Sequence, residues 1–181
     1  MHRIRTNSTT KLLLEAAERG NSAIVYSLLK TVASVNDTDG HQNTPLLLAS
    51  ARGHTKVVQI IINHGNNTKK EVNLTMNNLA GNTALHVACE NGHLAIVKLL
   101  LGCSEFIRDI NAQNANGDTA LHLAAHQGNI DIVQQILLVE TIDCNIRNCQ
   151  AQSAARKARL RGNLSIYEMI KKRQDRKCTI M

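Results

Sequence analysis

The chain has 181 residues, a length suited to one domain or to a short repeat array. Aromatic residues are scarce (two Tyr, one Phe, no Trp), so the apolar content is Leu, Ile, Val and Ala, a composition suited to packed helices. The net charge of +7 is unevenly placed: residues 1–149 balance 12 Lys/Arg against 12 Asp/Glu, whereas residues 150–181 hold 9 Lys/Arg and 2 Asp/Glu. No apolar run reaches the roughly 18 residues of a membrane span. The opening "MHRIRTNSTTK" lacks the apolar stretch of a secretory signal. Five cysteines (89, 103, 144, 149 and 178) form no C-x-x-C pair, and without an export signal they read as reduced thiols of a cytosolic protein.

Residues 1–10 read as a flexible start. Five similar segments follow in chain order. The first is "KLLLEAAERGNSAIVYSLLK", with Gly20. Three central copies are "NTPLLLASARGHTKVVQIII", "NTALHVACENGHLAIVKLLL" and "DTALHLAAHQGNIDIVQQIL", in which Thr44, Thr83 and Thr119 each precede a glycine (Gly53, Gly92, Gly128) by nine residues. The last is "QSAARKARLRGNLSIYEMIKK", with Gly162. The five glycines recur at intervals of 33, 39, 36 and 34 residues.

Each unit reads as two short helices around its glycine. Thr offers its hydroxyl to an N–H at the start of the first helix. Gly takes a positive φ and ends it. The second helices carry Val57-Val58-x-Ile60-Ile61-Ile62, Ile96-Val97-x-Leu99-Leu100-Leu101 and Ile132-Val133-x-x-Ile136-Leu137-Leu138. One such pair cannot bury its apolar faces, but stacked pairs can. The expected fold is therefore an all-α solenoid of helix-turn-helix units at about 11–38, 39–77, 78–113, 114–148 and 149–170, the outer two acting as caps. The last unit carries Arg156, Lys157 and Arg159 where the central copies are uncharged, so that face is expected to meet water. Extra residues after two second helices, "NNTKKEV" at 66–72 and "CSEFIRD" at 103–109, read as surface loops.

The segments TPLLLA (44–49), TALHVA (83–88) and TALHLA (119–124) carry a resemblance to the ankyrin repeat, extending over residues 11–170. Leu47 departs from the family's His, and Ala84 and Ala120 from its Pro. Gln42 stands where the other copies have Gly81 and Gly117, which leaves the geometry of the turn at 39–43 open. The resemblance implies that His86 and His122 hydrogen-bond backbone between units. It also implies a protein partner on the concave face, built from turn tips and the exposed edge of the first helices. By position the tips supply Gly40, His41 and Asn43, then Leu79, Ala80 and Asn82, then Ala115, Asn116 and Asp118. The helix edges supply Ala51 and Arg52, Glu90 and Asn91, and His126 and Gln127. An ordinary solvated face would explain these residue types equally well. Asn111, in "DINA", matches the position at which ankyrin proteins are sometimes hydroxylated.

Chemistry-bearing motifs are otherwise sparse. His86 and Cys89 stand at i, i+3 and could form half a metal site, as could Cys144-x4-Cys149, but no second pair at fitting spacing completes either. There is no G-x-S-x-G, P-loop, H-E-x-x-H or Gly-rich dinucleotide turn. The expectation is a monomeric non-enzyme with no cofactor, no metal and no small-molecule substrate.

Residues 171–181, "KKRQDRKCTIM", read as a basic tail. Cys178-Thr179-Ile180-Met181 fits the C-a-a-X pattern for prenylation, with Met pointing to farnesyl. One prenyl chain binds membranes only marginally, and Lys171, Lys172, Arg173, Arg176 and Lys177 could supply the second signal at an anionic leaflet. A prenyltransferase and an anionic membrane are then partners, and the site of action is the cytosolic face of a eukaryotic membrane. An ankyrin module with such an ending is similar to effectors of intracellular bacteria that are secreted into host cells and borrow host prenylation. The leading reading is a membrane-tethered protein-binding adaptor. The alternative is a soluble or nuclear regulator whose basic end binds nucleic acid or an acidic protein.

Overall fold

A computed structural model describes residues 8–31, 34–67 and 73–178 of the chain. In it the hydroxyls of Thr44, Thr119 and Ser153 accept hydrogen bonds from the N–H groups of Leu47, His122 and Arg156, and each opens a first helix. The first helices are α1 (Ser8–Glu18), α3 (Pro45–Ala51), α5 (Ala84–Glu90), α8 (Ala120–Gln127) and α10 (Ala154–Leu160). The second helices are α2 (Ser22–Thr31), α4 (Thr55–Asn67), α6 (Leu94–Leu101), α9 (Ile130–Leu137) and α11 (Leu164–Cys178). First helices pack on first helices and second on second along the stack, and the pairs close around one continuous core. The all-α solenoid expected from the repeats is the observed architecture. Among the described residues there is no strand, only an isolated bridge between Arg147 and Ser153.

The second-helix pattern explains the core. Val57, Val58 and Ile61, then Ile96, Val97 and Leu100, then Ile132, Val133 and Ile136 are all buried at i, i+1 and i+4. Burying a Leu, Ile or Val side chain stabilises by about 1.5–3 kcal/mol, so this stripe supplies much of the driving force. Leu138 departs from its expected place: it lies past the end of α9 and is 73% exposed.

Glycine at the helix ends is required twice over. Gly53 has φ +79°, and a Cβ there would meet the His93 ring of the next unit at 2.7 Å.

Four expectations need correction. Residues 8–10 belong to α1 rather than to a flexible start, with Thr10 buried and donating to Asp37 Oδ2 at 2.7 Å; residues 1–7 lie outside the described residues. The insertion at 103–109 is not a plain loop but carries a short helix, α7 (Ser104–Arg108), because Phe106 inserts into the core at 2% exposure. Residues 68–72 of the other insertion lie outside the described residues. Arg156 and Arg159 meet water as expected, but the Lys157 side chain is 12% exposed and its ammonium lies 2.7 Å from Asp118 Oδ2.

The fourth correction concerns the tail. Residues 171–178 do not leave the folded body at 170 but continue α11. Arg173 donates from Nε to the Leu137 carbonyl (3.2 Å) and from Nη2 to the Glu140 carbonyl (3.5 Å), capping the end of α9. Gln174 donates to the Cys144 carbonyl at 2.9 Å.

Candidate protein-binding surface

The turns before the first helices are copies of one device. Asp39 Oδ1 accepts the N–H groups of His41 and Asn43, both at 2.8 Å. Asn78 Oδ1 does the same for Ala80 and Asn82, Asn114 for Asn116 and Asp118, and Asn148 for Gln150 and Gln152, all at 3.0 Å. A short side chain that accepts from the N–H groups two and four residues ahead helps to hold the turn. The fourth residue of each turn lies in the left-handed region: Gln42 (φ 61°), Gly81 (73°), Gly117 (72°) and Ala151 (56°). The turn at 39–43 thus keeps the geometry of its glycine-bearing copies, with Gln42 forced into it. Partial burial raises the Asp39 pKa, but hydrogen bonds from the Asn43 side chain and from the Asn43 and His41 N–H groups outweigh it and hold the carboxyl below its ordinary value.

Successive turns are tied to one another. Asn78 Nδ2 donates to Asn43 Oδ1 (3.0 Å), Asn114 Nδ2 to Asn82 Oδ1 (2.8 Å) and Asn148 Nδ2 to Asp118 Oδ1 (2.8 Å). A backbone bond accompanies each: Leu79 N–H to the His41 carbonyl, Ala115 to Ala80 and Cys149 to Asn116, all at 3.0 Å. Three of the residues expected on the binding face, Asn43, Asn82 and Asp118, therefore have their side chains inside the ladder that holds the units in register.

The histidines serve the same end. His86 Nδ1 accepts the Thr83 N–H at 3.3 Å, so Nε2 carries the proton and donates to the Ala112 and Asp118 carbonyls, both at 3.1 Å. His122 Nδ1 accepts from Thr119 N–H, and Nε2 donates to the Gln152 carbonyl at 3.0 Å. Both rings bridge to the next unit, as the resemblance implied. Burial lowers both pKa values and so favours the neutral rings. With both nitrogens of His86 engaged, the His86–Cys89 half-site has no imidazole to offer a metal. Burial also pushes the Cys89 thiol up. Among the described residues no group of three His, Cys, Asp or Glu gathers as a metal set.

A second ladder runs behind the glycines. His54 Nε2 contacts the Glu18 carbonyl (2.8 Å) and His93 Nε2 that of Ala51 (3.1 Å), while Asn129 and Asn163 donate to the carbonyls of Cys89 (3.4 Å) and Ala125 (3.1 Å). Asn111 is likewise committed: Nδ2 donates to the Thr141 carbonyl and Oδ1 accepts the Asp143 N–H, both at 2.9 Å.

With the ladders accounted for, the outer row remains. His41, Leu79 and Asn116 stand exposed at three turn tips, Leu79 at 62%. Arg52, Glu90, Asn91 and Gln127 are exposed at the ends of the first helices, and His126 is half-buried. Arg52 pairs with Glu18 at 2.8 Å, with both side chains well exposed. Sequence reasoning missed the fourth turn, whose tips Cys149 and Gln150 are exposed in line with Leu79 and Ala80. The signal was present: Asn148 stands to Gln152 as Asp39 to Asn43, Asn78 to Asn82 and Asn114 to Asp118. Between the third and fourth turns lies a groove of about 560 Å³ whose lining includes Asn116, His126, Gln150, Lys157, Leu160 and Arg161.

The family model for ankyrin repeats matches residues 13–113 and 103–179, nearly the whole chain. The chain belongs to the ankyrin repeat family. Its ankyrin repeats are also similar to part of an E3 ubiquitin-protein ligase, XBAT33, of Arabidopsis thaliana (38% identical over 87 residues, 48% of this chain and 16% of the ligase). Part of the potassium channel AKT2/3 of the same plant is 32% identical over 88 residues, 49% of this chain and 10% of the channel. The nuclear factor NF-kappa-B p105 subunit of Gallus gallus is 33% identical over 90 residues, 50% of this chain and 8% of that protein. The chain thus spans a sixth or less of the length of these relatives. What they share with it is the repeat, and ankyrin repeats are in general non-enzymatic modules for protein interaction. No helix among the described residues is long and apolar enough to cross a membrane.

Proposed function

We propose that this ankyrin stack is a protein-binding adaptor that takes its partner on the face formed by the turn tips and the carboxyl ends of the first helices. One observation carries the reading. The side chains that fix the stack, Asn43, Asn82 and Asp118, point into the ladder, while His41, Leu79 and Asn116 stand exposed at the turn tips beside them. The surface is a row of differing side chains on a repeated hydrogen-bonded frame, and a preformed frame lowers the ordering cost of binding. Photo-reactive residues at His41, Leu79 and Asn116 should capture one common protein, and the same group at Gln59 on α4 should not. Equal capture at Gln59 would count against this face.

We further propose a membrane tether. Where Met181 bears the terminal carboxylate, the Cys178 thiolate can displace diphosphate from farnesyl diphosphate and form a thioether. Lys171 and Lys172, exposed on α11, favour the reading, since cations beside a prenyl group supply the second membrane signal. Arg173 contributes less than the sequence suggested, because its guanidinium caps α9. The side chains of Arg176, Lys177 and Cys178, and residues 179–181, lie outside the described residues. The tethered adaptor would hold its partner at the cytosolic face of a eukaryotic membrane, a host's membrane if the chain is bacterial. In eukaryotic cells Cys178→Ser should move a tagged chain from the membrane to the soluble fraction. An unchanged distribution would rule out the tether.

A further inference from the structure

Equivalent positions of the first helices can be compared along the stack. In the fourth turn's groove the lining residues from α10 and its C-cap are Lys157, Leu160 and Arg161. The residues in the place of Lys157, reading from the first unit, are Glu15, Leu48, Val87 and Leu123. The floor of this face therefore begins with a carboxylate, passes through three apolar side chains and ends with an ammonium. Beside this floor Glu90 stands exposed in the middle of the stack and Arg161 at its last unit, while Glu18 at the first unit is paired with Arg52. Residues 145–163 hold five Lys/Arg and no Asp/Glu.

Inside the groove the charges are fixed rather than floating. Asp118 neutralises Lys157 across 2.7 Å and is itself held by the Asn148 amide. Arg161 donates to His126 Nε2 from Nη2 at 2.6 Å and from Nε at 3.1 Å, which steadies its guanidinium at the groove rim. Arg161 is left as the uncompensated charge there. Around it, Asn116 and Gln150 offer amide groups, and Leu160 presents apolar surface at 61% exposure. Nucleic acid suits the groove poorly. None of the chain's aromatics lines it, so it offers no stacking platform for bases.

We infer that the concave face takes an apolar-centred peptide segment with an acidic end, and that this end docks in the groove of the fourth turn against Arg161. The segment's opposite end runs toward Glu90, so charge sets the direction in which the partner lies. The inference rests on the reading of this face as the binding surface.

The test uses the full chain and a labelled Leu/Ala peptide ending in a run of glutamates. The comparison probes are the same peptide with glutamines and a single-stranded oligonucleotide. Fluorescence anisotropy should show the glutamate peptide binding at least about tenfold more tightly than the glutamine peptide. Arg161→Glu should abolish that preference, whereas Lys171→Glu with Lys172→Glu should leave it. Amide shifts of Cys149, Gln150 and Arg161 should lead the NMR response. Equal binding of the two peptides, loss through Lys171 and Lys172 instead of Arg161, or tighter binding of the oligonucleotide would each overturn the inference. If a protein is still captured through Leu79 while the glutamate peptide shows no preference, the inference falls and the binding face stands.

Discussion

Lys157→Met removes the ammonium from an ion pair whose two side chains are 12% and 8% exposed. The Asp118 carboxylate keeps one hydrogen bond, from the Asn148 amide, and little access to water at the groove's floor. Breaking a buried pair from one side costs about 3–5 kcal/mol, most of it the penalty of an unpaired buried charge. The Asn148 bond places the expected loss near the lower figure, about 3 kcal/mol. For a chain of this size that is a fall of about 6–12 °C in melting temperature. Circular dichroism during heating, with urea unfolding alongside, measures it. The double variant Asp118→Asn with Lys157→Met should regain most of the loss, since neither partner then carries a charge. Arg52→Gln is the contrast. Its pair with Glu18 is almost as close, 2.8 Å against 2.7 Å, but its side chains are 62% and 43% exposed, so its removal should cost no more than about 0.5 kcal/mol. A loss below about 1 kcal/mol for Lys157→Met, or a double variant no better than the single, would refute the argument that burial decides the value of these pairs.

Other outcomes follow from the same frame. The His86 and His122 rings are held below their ordinary pKa by burial, so as pH falls below about 6.5 the unfolded chain takes up protons that the folded chain refuses. Stability should therefore fall as pH drops through about 6.5, with both rings titrating below that value; a ring titrating at or above it would contradict this. Gly162→Ala meets open space and should cost only the left-handed strain of about 1–2 kcal/mol, whereas Gly53→Ala adds a contact with the His93 ring and should cost more by urea titration. Ser50 Oγ is buried with no hydrogen-bond partner, and Ala17 and Ala125 stand in its place in other units. Ser50→Ala should therefore raise stability by about 1 kcal/mol, and a loss would reveal a partner for the hydroxyl.

The fold was legible because every unit repeats the same physical signals. Thr before the first helix, Gly after it and a β-branched stripe on the second helix each appear several times, and repetition separates signal from accident. The turns were half legible. Gln42 looked like a break because a glycine rule was applied to the fourth position. The residue that fixes the geometry is the first, Asp39, whose carboxylate makes the turn whatever follows. Spacing also put Asn43, Asn82 and Asp118 on the binding face but could not tell a side chain aimed outward from one aimed at the next unit. That distinction needs two units in contact. Charge misled at Lys157 and Arg173 for a related reason: both side chains reach across to partners more than 30 residues away. Phe106 carried a fair hint, an aromatic in a loop of a chain with almost none, and the core claims it.

The central claim is that the turn-tip face, and not the second-helix face, binds a protein. Its most direct test takes the protein captured through Leu79 and measures its affinity for three chains: wild type, Leu79→Asp with Asn116→Arg, and Gln59→Arg. The turn-tip variant should bind at least about tenfold more weakly at unchanged melting temperature, and the α4 variant should match wild type. An unchanged affinity for the turn-tip variant, or a loss with Gln59→Arg instead, would contradict the account.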